Sequence, residues 1–204
     1  MLNKPTLFVV ATPIGNLSDI SIRAKNILAE VDLIAAEDTR KTAGLLLSLN
    51  IKVPLISFHQ HNEEKKSKEI INVINKGNSV AIVSNAGTPL ISDPGYRLIK
   101  LAHDYGIKIS PIPGPSALIA ALSCAGLPTD RFVFEGFLPS KSAARRTRLN
   151  DLKDENRTIV FYESVHRILK TAEDMAEIFG ESRKVAICRE LTKVHEQCEK
   201  MTLI

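Results

Sequence analysis

Groups able to take or hold a proton stand where apolar strand patterns run out into loops: Glu37, Asp38 and Arg40 in Glu37-Asp38-Thr39-Arg40, His59 and His61 beyond Leu55-Ile56-Ser57-Phe58, and Glu163 beyond Thr158-Ile159-Val160-Phe161-Tyr162. A carboxylate or imidazole at a strand's carboxyl end can act as a general base or stabilise a developing anion. A plainer role stays open for the first group, in which Asp38 or Thr39 caps the following helix and Arg40 pairs with a carboxylate. His59 and His61 lack further ligands at a spacing that would hold a metal, and Asp93 can serve to cap a turn before Pro94.

Two further segments have the pattern of loops that recognise ligands through main chain rather than side chain, with simple structural turns as the competing role. Val83-Ser84-Asn85-Ala86-Gly87-Thr88-Pro89-Leu90-Ile91-Ser92-Asp93-Pro94-Gly95 and Pro113-Gly114-Pro115-Ser116-Ala117 each follow a β-branched run and precede a helical pattern. Glycine there lets the backbone turn, or lie close against a ligand, because no Cβ intervenes. Exposed N–H and C=O groups suit an adenosine or amino-acid moiety. GxxxxGK[ST] and GxGxxG are both missing, which excludes a P-loop nucleotidase and the dinucleotide fingerprint.

The elements that must position these loops alternate. Strands are expected at 7–11, 32–36, 55–58 and 79–83, with a fifth starting at 107–109. The helices between them run from a cap at Ser18 or Asp19 through Val31, from 39 to 49, from an Asn62 cap to Lys76-Gly77, and from Tyr96 to Tyr105. Such alternation predicts a mostly parallel sheet covered on both faces, whose ligands sit beyond the carboxyl ends of its strands. After a helix at about 116–125 and the punctuation Gly126-Leu127-Pro128, a second series follows. It has strands at 132–135, 158–162 and 184–188, a basic helix from Ser140 to about Lys153, and a helix with Val165, Ile168, Leu169, Ala172, Met175, Ala176 and Phe179 on its apolar stripe. Two α/β domains are expected, 1–116 and 117–204. The chain stops at Met201-Thr202-Leu203-Ile204, which resembles an unfinished strand, so the second domain is expected to be truncated.

Bulk composition narrows the class. The 204 residues are 44% hydrophobic and 25% charged with a net charge of +4, and no apolar run is long enough to cross a membrane. A cytoplasmic protein is expected. Lys141, Arg145, Arg146 and Arg148 form a basic cluster suited to RNA phosphates, with a solvated helix face as the competing role. Cys124, Cys188 and Cys198 stand far apart without a CxxC pair, so reduced thiols and no metal are expected.

Eight ordered motifs carry a resemblance: ATPIGNLSDIS, AAEDTRKTAGLLL, SFHQHNE, VSNAGTPLISDPG, PIPGPSALIAAL, GFLPSK, YESVHR and RELTKVHE. Together they resemble the ribosomal RNA methyltransferase branch of the tetrapyrrole (corrin/porphyrin) methylases. The resemblance implies two α/β domains of the tetrapyrrole-methylase type with a cofactor cleft between them. It also implies S-adenosyl-L-methionine as cofactor, a homodimer, and methylation of the ribose 2′-oxygen of a cytidine in small-subunit (16S) ribosomal RNA or the assembled 30S subunit. Cofactor contacts implied by it are Pro13, Gly15, Ser84, Asn85, Ala86, Gly87, Thr88, Ile91, Ser116 and Ala117, with Tyr162, Glu163, Arg189, Glu190 and Leu191 from the second domain. Glu37, Asp38 and Arg40 are the catalytic candidates for activating a weakly nucleophilic hydroxyl. Tetrapyrrole methylases carry a glycine-rich first loop and a Gly-Asp-Pro fourth-strand loop, whereas this chain has Thr12-Pro13-Ile14-Gly15 and Asn85-Ala86-Gly87-Thr88. Those departures favour the RNA branch over a tetrapyrrole or other small-molecule acceptor.

Overall fold

The computed structural model describes residues 5–203. The chain divides into two compact units that meet in sequence at Ser116 and Ala117.

In the first unit, β1 (Thr6–Val10), β2 (Leu33–Ala36), β3 (Leu55–Ser57), β4 (Val80–Val83) and β5 (Lys108–Ile112) form one sheet in the order β3-β2-β4-β1-β5. Every neighbouring pair is parallel. Helices α1 (Ile22–Glu30), α2 (Thr39–Ser48), α3 (Glu63–Asn75) and α4 (Tyr96–Asp104) cover it. The two-residue period of the strands divides the core cleanly. Phe8, Val10, Ile34, Ala36, Ala81 and Val83 meet Ala24 and Leu28 of α1 and Leu46 of α2 on one face. Leu7, Ala35, Val80 and Ile82 meet Ile70, Ile71 and Ile74 of α3 and Leu98 and Ala102 of α4 on the other. With apolar groups on both sides, strands β1, β2 and β4 read as continuous hydrophobic runs.

The order of strands reverses between β1 and β4, so the loops leaving these two neighbours open at the sheet's switch point. The cap of α1 differs from expectation. Ser21, not Ser18 or Asp19, accepts the Ala24 N–H at 3.0 Å, because Leu17–Asp19 closes a separate 3-10 turn capped by Asn16 and Ile20 returns to extended backbone.

The second unit contains α5 (Ala117–Cys124), a parallel pair β6 (Phe132–Phe137) and β7 (Thr158–Tyr162), helices α6 (Ser142–Asp151) and α7 (Ile168–Phe179), and an antiparallel pair β8 (Lys184–Arg189) and β9 (Gln197–Thr202). Leu149 of α6 and Ile178 of α7 enclose a small core with Leu138, bordered by Phe161, Met175 and Phe179. Two expected stripe positions lie outside it: Val165 and Leu169 are 82% and 77% exposed. The helix begins only at Ile168, and its buried face is set by Thr171, Asp174 and Ile178 at helical spacing.

Candidate functional site

Four loops converge at the carboxyl edge of the first unit's sheet. The loop after β1 and the loop after β4 are stitched by two main-chain bonds, Thr12 N–H to Gly87 O at 2.9 Å and Gly87 N–H to Thr12 O at 3.0 Å. The buried Thr12 hydroxyl adds a 3.3 Å bond to Ser84 O. Thr88 reaches the loop after β5, its hydroxyl donating to Pro115 O at 3.1 Å. Glu37, just past β2, accepts the Asn85 N–H with Oε2 at 3.1 Å.

Glycine eases close packing at two of these junctions. Gly87 has φ +82°, and an added Cβ would stand 3.3 Å from Ile14 Cγ2; at Gly114 it would stand 3.0 Å from the Ala11 side chain. The loop between β4 and α4 is also held in unusual backbone, with left-handed φ at Leu90 (72°) and Ser92 (67°). Non-glycine residues persist there only where surroundings enforce them, a condition often met at functional sites.

A groove of about 340 Å³ opens between these loops and α2, lined by Thr12, Pro13, Gly15, Lys41, Asn85 and Ala86 among others. The structure therefore brings together Pro13, Gly15, Asn85 and Ala86 of the expected cofactor contacts, with Ser84, Gly87 and Thr88 bonded into the same loop cluster. Asn85 Oδ1 is buried with no hydrogen-bond partner, which leaves an acceptor available to a ligand. Ile91 is on the surface of the same loop, and Ser116 is half-buried where the first unit ends.

The proposed acid–base groups separate into different roles. Asp38 accepts the Arg40 N–H with Oδ1 at 2.9 Å, capping α2, and its other oxygen meets the Arg40 guanidinium at 3.0 Å. Hydrogen bonds from Arg40 hold its carboxyl down at about 2, so it stays charged and occupied. The His59 N–H donates to Asn62 Oδ1 at 2.9 Å, and the Asn62 amide reaches back to Ser57 O at 3.2 Å, which makes this histidine part of a folded turn. His61 meets it edge to face at 5.9 Å between ring centroids.

Asp93, read from sequence as a turn cap, has different electrostatics. Burial first, and then repulsion from the Glu37 carboxylate, push its carboxyl up to about 6, against an opposing hydrogen bond with the Ser84 hydroxyl. The signal was present in Ser92-Asp93-Pro94, but the Glu37 charge that faces it comes from a different strand end.

The second unit contains the remaining candidates. Tyr162 ends β7, accepts the Leu118 N–H at 3.1 Å and meets Phe134 and Phe137 edge to face. Glu163 is turned inward, taking hydrogen bonds from the Ser164 N–H, the Arg167 guanidinium and, at 2.8 Å, the Thr171 hydroxyl. Arg189 ends β8 with its guanidinium on the Gln197 side chain. Glu190 follows in left-handed backbone (φ 51°) and pairs with Lys193 at 2.9 Å, with Leu191 half-buried beside it.

Arg145 requires a correction. It is only 4% exposed, with Nη2 at 2.7 Å from Asp174 Oδ2, and so cannot meet an RNA phosphate. Arg146 pairs with Asp174 at 2.9 Å and with Glu177 at 2.6 Å, and Arg148 with Glu135 at 2.6 Å, which leaves both guanidiniums partly exposed but internally neutralised. Lys141 is exposed at the start of α6.

Residues 6–204 match the tetrapyrrole (corrin/porphyrin) methylase family, and the chain belongs to that family. Solved structures of low sequence identity share the fold: uroporphyrin-III-C-methyltransferase from Thermus thermophilus superposes with a TM-score of 0.67 at 18% identity, covering 98% of this chain and 86% of that one. Cobalt precorrin-4 methyltransferase gives 0.66 at 16%, covering 97% and 85%. Within the family the chain groups with ribosomal RNA small subunit methyltransferase I. It is 52% identical over 202 residues to that protein from Pseudomonas aeruginosa, covering 99% of this chain and 72% of the relative. Identity is 55% over 196 residues with the Xylella fastidiosa protein, covering 96% and 72%. With the Thermotoga maritima protein it is 52% over 191 residues, covering 94% and 85%.

Proposed function

We propose that this chain is an S-adenosylmethionine-dependent methyltransferase acting on the ribose 2′-oxygen of a cytidine in small-subunit ribosomal RNA. The observation that carries the proposal is its identity of 50–55%, over nearly its whole length, to proteins named ribosomal RNA small subunit methyltransferase I.

The residues of the first unit suit that cofactor. Asn85 Oδ1 is a buried acceptor without a partner, fit for an ammonium or hydroxyl donor. Gly87 and Gly114 keep main chain bare where a Cβ would crowd Ile14 or Ala11. Pro13, Gly15, Asn85 and Ala86 line the groove and, with Thr88, would hold the cofactor. When bound, the cofactor supplies an electrophilic methyl group.

The protein's own groups have the proton to handle. Asp93 stands on the loop between β4 and α4 that also carries Asn85 and Ala86 of the groove, and with its carboxyl pushed up to about 6 it is mostly ionised at neutral pH yet basic enough to accept a hydroxyl proton. Glu37 acts beside it, fixing the loop through Asn85 N–H and raising the proton affinity of Asp93 by its charge. In this proposal Lys141 contributes phosphate contact, and the protein works as a cytoplasmic homodimer on its ribosomal substrate.

The test is methyl transfer from labelled S-adenosylmethionine to small subunits that lack the modification, with the product mapped by mass spectrometry. A 2′-O-methylcytidine is expected. Absence of any RNA methylation, with cofactor binding intact by calorimetry, would overturn the acceptor assignment.

A further inference from the structure

Three cysteines remote in sequence converge in the second unit. Cys188 on β8 and Cys198 on β9 are directly opposed in the antiparallel register, with their sulfurs 3.1 Å apart. Cys124 is the last residue of α5, and all three sulfurs lie within 4.8 Å of one another. We propose that Cys124, Cys188 and Cys198 form a three-thiolate binding site for a soft divalent cation of the zinc class. The proposal stands apart from the methyl-transfer reading, since none of these sulfurs belongs to the groove of the first unit.

Three features of the geometry carry it. Zinc–sulfur bonds of about 2.3 Å at tetrahedral angles set sulfur atoms about 3.8 Å apart, within the spread seen here after small side-chain rotations. The last turn of α5 also directs carbonyls at the cluster: Ala120 O and Ala121 O accept from the Cys124 thiol at 3.3 and 3.4 Å, and Ala121 O lies 3.9 Å from the Cys188 sulfur. The carboxyl end of a helix bears partial negative charge, which favours a cation beside it.

The competing product, a Cys188–Cys198 disulfide, fits less well. It would need a two-electron oxidant to take the two thiols to an S–S bond, which cation binding does not. It would also leave Cys124 unused, whereas a cation engages all three. Cys124 is exposed, so ions have an entry path, and a water completes four-coordination. As each S–M bond forms, the S–H proton passes to buffer, so three protons leave and no electrons move.

The experiment is zinc titration of the metal-free chain under a non-thiol reductant, read by elemental analysis after dialysis, by a competing chromophoric chelator and by thermal melting. Cobalt(II) substitution provides a second readout through its sulfur-to-metal charge-transfer absorption. One zinc per chain is expected, with a raised melting temperature, a charge-transfer band, and binding weakened on the order of 100-fold in Cys188→Ser. Cys124→Ser, at an exposed position, serves if Cys188→Ser does not fold. Zinc below about a tenth of an equivalent, binding that survives both substitutions, or a Cys188–Cys198 disulfide in peptides mapped without reduction would each overturn the site.

Discussion

Glu37 Oε2 accepts the main-chain N–H of Asn85 at 3.1 Å, so a charged group at the end of β2 fixes the loop leaving β4, and the same charge bears on Asp93. Glu37→Gln keeps an acceptor for Asn85 but removes the charge. The acid limb of the pH–rate profile, set by Asp93 at about 6, should move to lower pH, while Glu37→Ala should also weaken cofactor binding. Profiles of kcat across pH 5–9 check this, and an unmoved limb would refute the coupling.

Asp93→Asn should lower kcat by about 10²- to 10⁴-fold with little change in cofactor affinity, as loss of a general base requires.

The same substitution should act on stability with a definite sign. Because the folded-state value of Asp93, about 6, lies above that of an unfolded aspartate, its contribution is fully present below pH ~4 and is lost as pH rises through 6. Asp93→Asn should therefore stabilise the protein at pH 8, by about 1 kcal/mol after allowing for solvent screening of a half-exposed group. At pH 4 it should make little difference. Urea unfolding at the two pH values measures the contrast.

Asp174 joins α6 to α7 through two arginines. Burial alone would raise its carboxyl, but hydrogen bonds from Arg146 and Arg145 outweigh this and hold it below the usual range. Its contribution is thus present above pH ~4 and lost as pH falls through the lowered value. Asp174→Ala, which strands the buried Arg145 charge, should cost about 3–5 kcal/mol. Lys141→Ala should leave stability alone and lower the slope of log RNA affinity against log salt by about 1.

Gly114→Ala pushes a methyl to 3.0 Å from buried Ala11, and should cost about 1–3 kcal/mol by forcing the loop after β5 away from β1. Gly87→Ala strains the left-handed residue that pairs with Thr12 and should weaken cofactor binding more than global stability. Calorimetry beside thermal melts separates the two effects.

The first unit was largely legible in the sequence because its strands are buried on both faces and its helices are amphipathic, so each element announces itself locally. Ser21 was missed because Asn16 caps a short turn first, placing two caps in tandem. The loop cluster was legible where it is local, in Asn85-Ala86-Gly87-Thr88 and the Pro113–Ala117 loop. It was opaque where it depends on pairing. Asp93 needs Glu37 from another strand end, Arg145 reads as a phosphate ligand until Asp174 is packed against it, and the three cysteines meet only through the β8–β9 register. Spacing rules see neighbours in the chain, and none of these partners is one.

The bond pair between Thr12 and Gly87 uses main-chain atoms alone. A strut of that kind is inherited almost independently of which side chains surround it, needing little more than a residue without a Cβ at position 87. Side chains around the joint can change without breaking it, since no side-chain atom carries either bond.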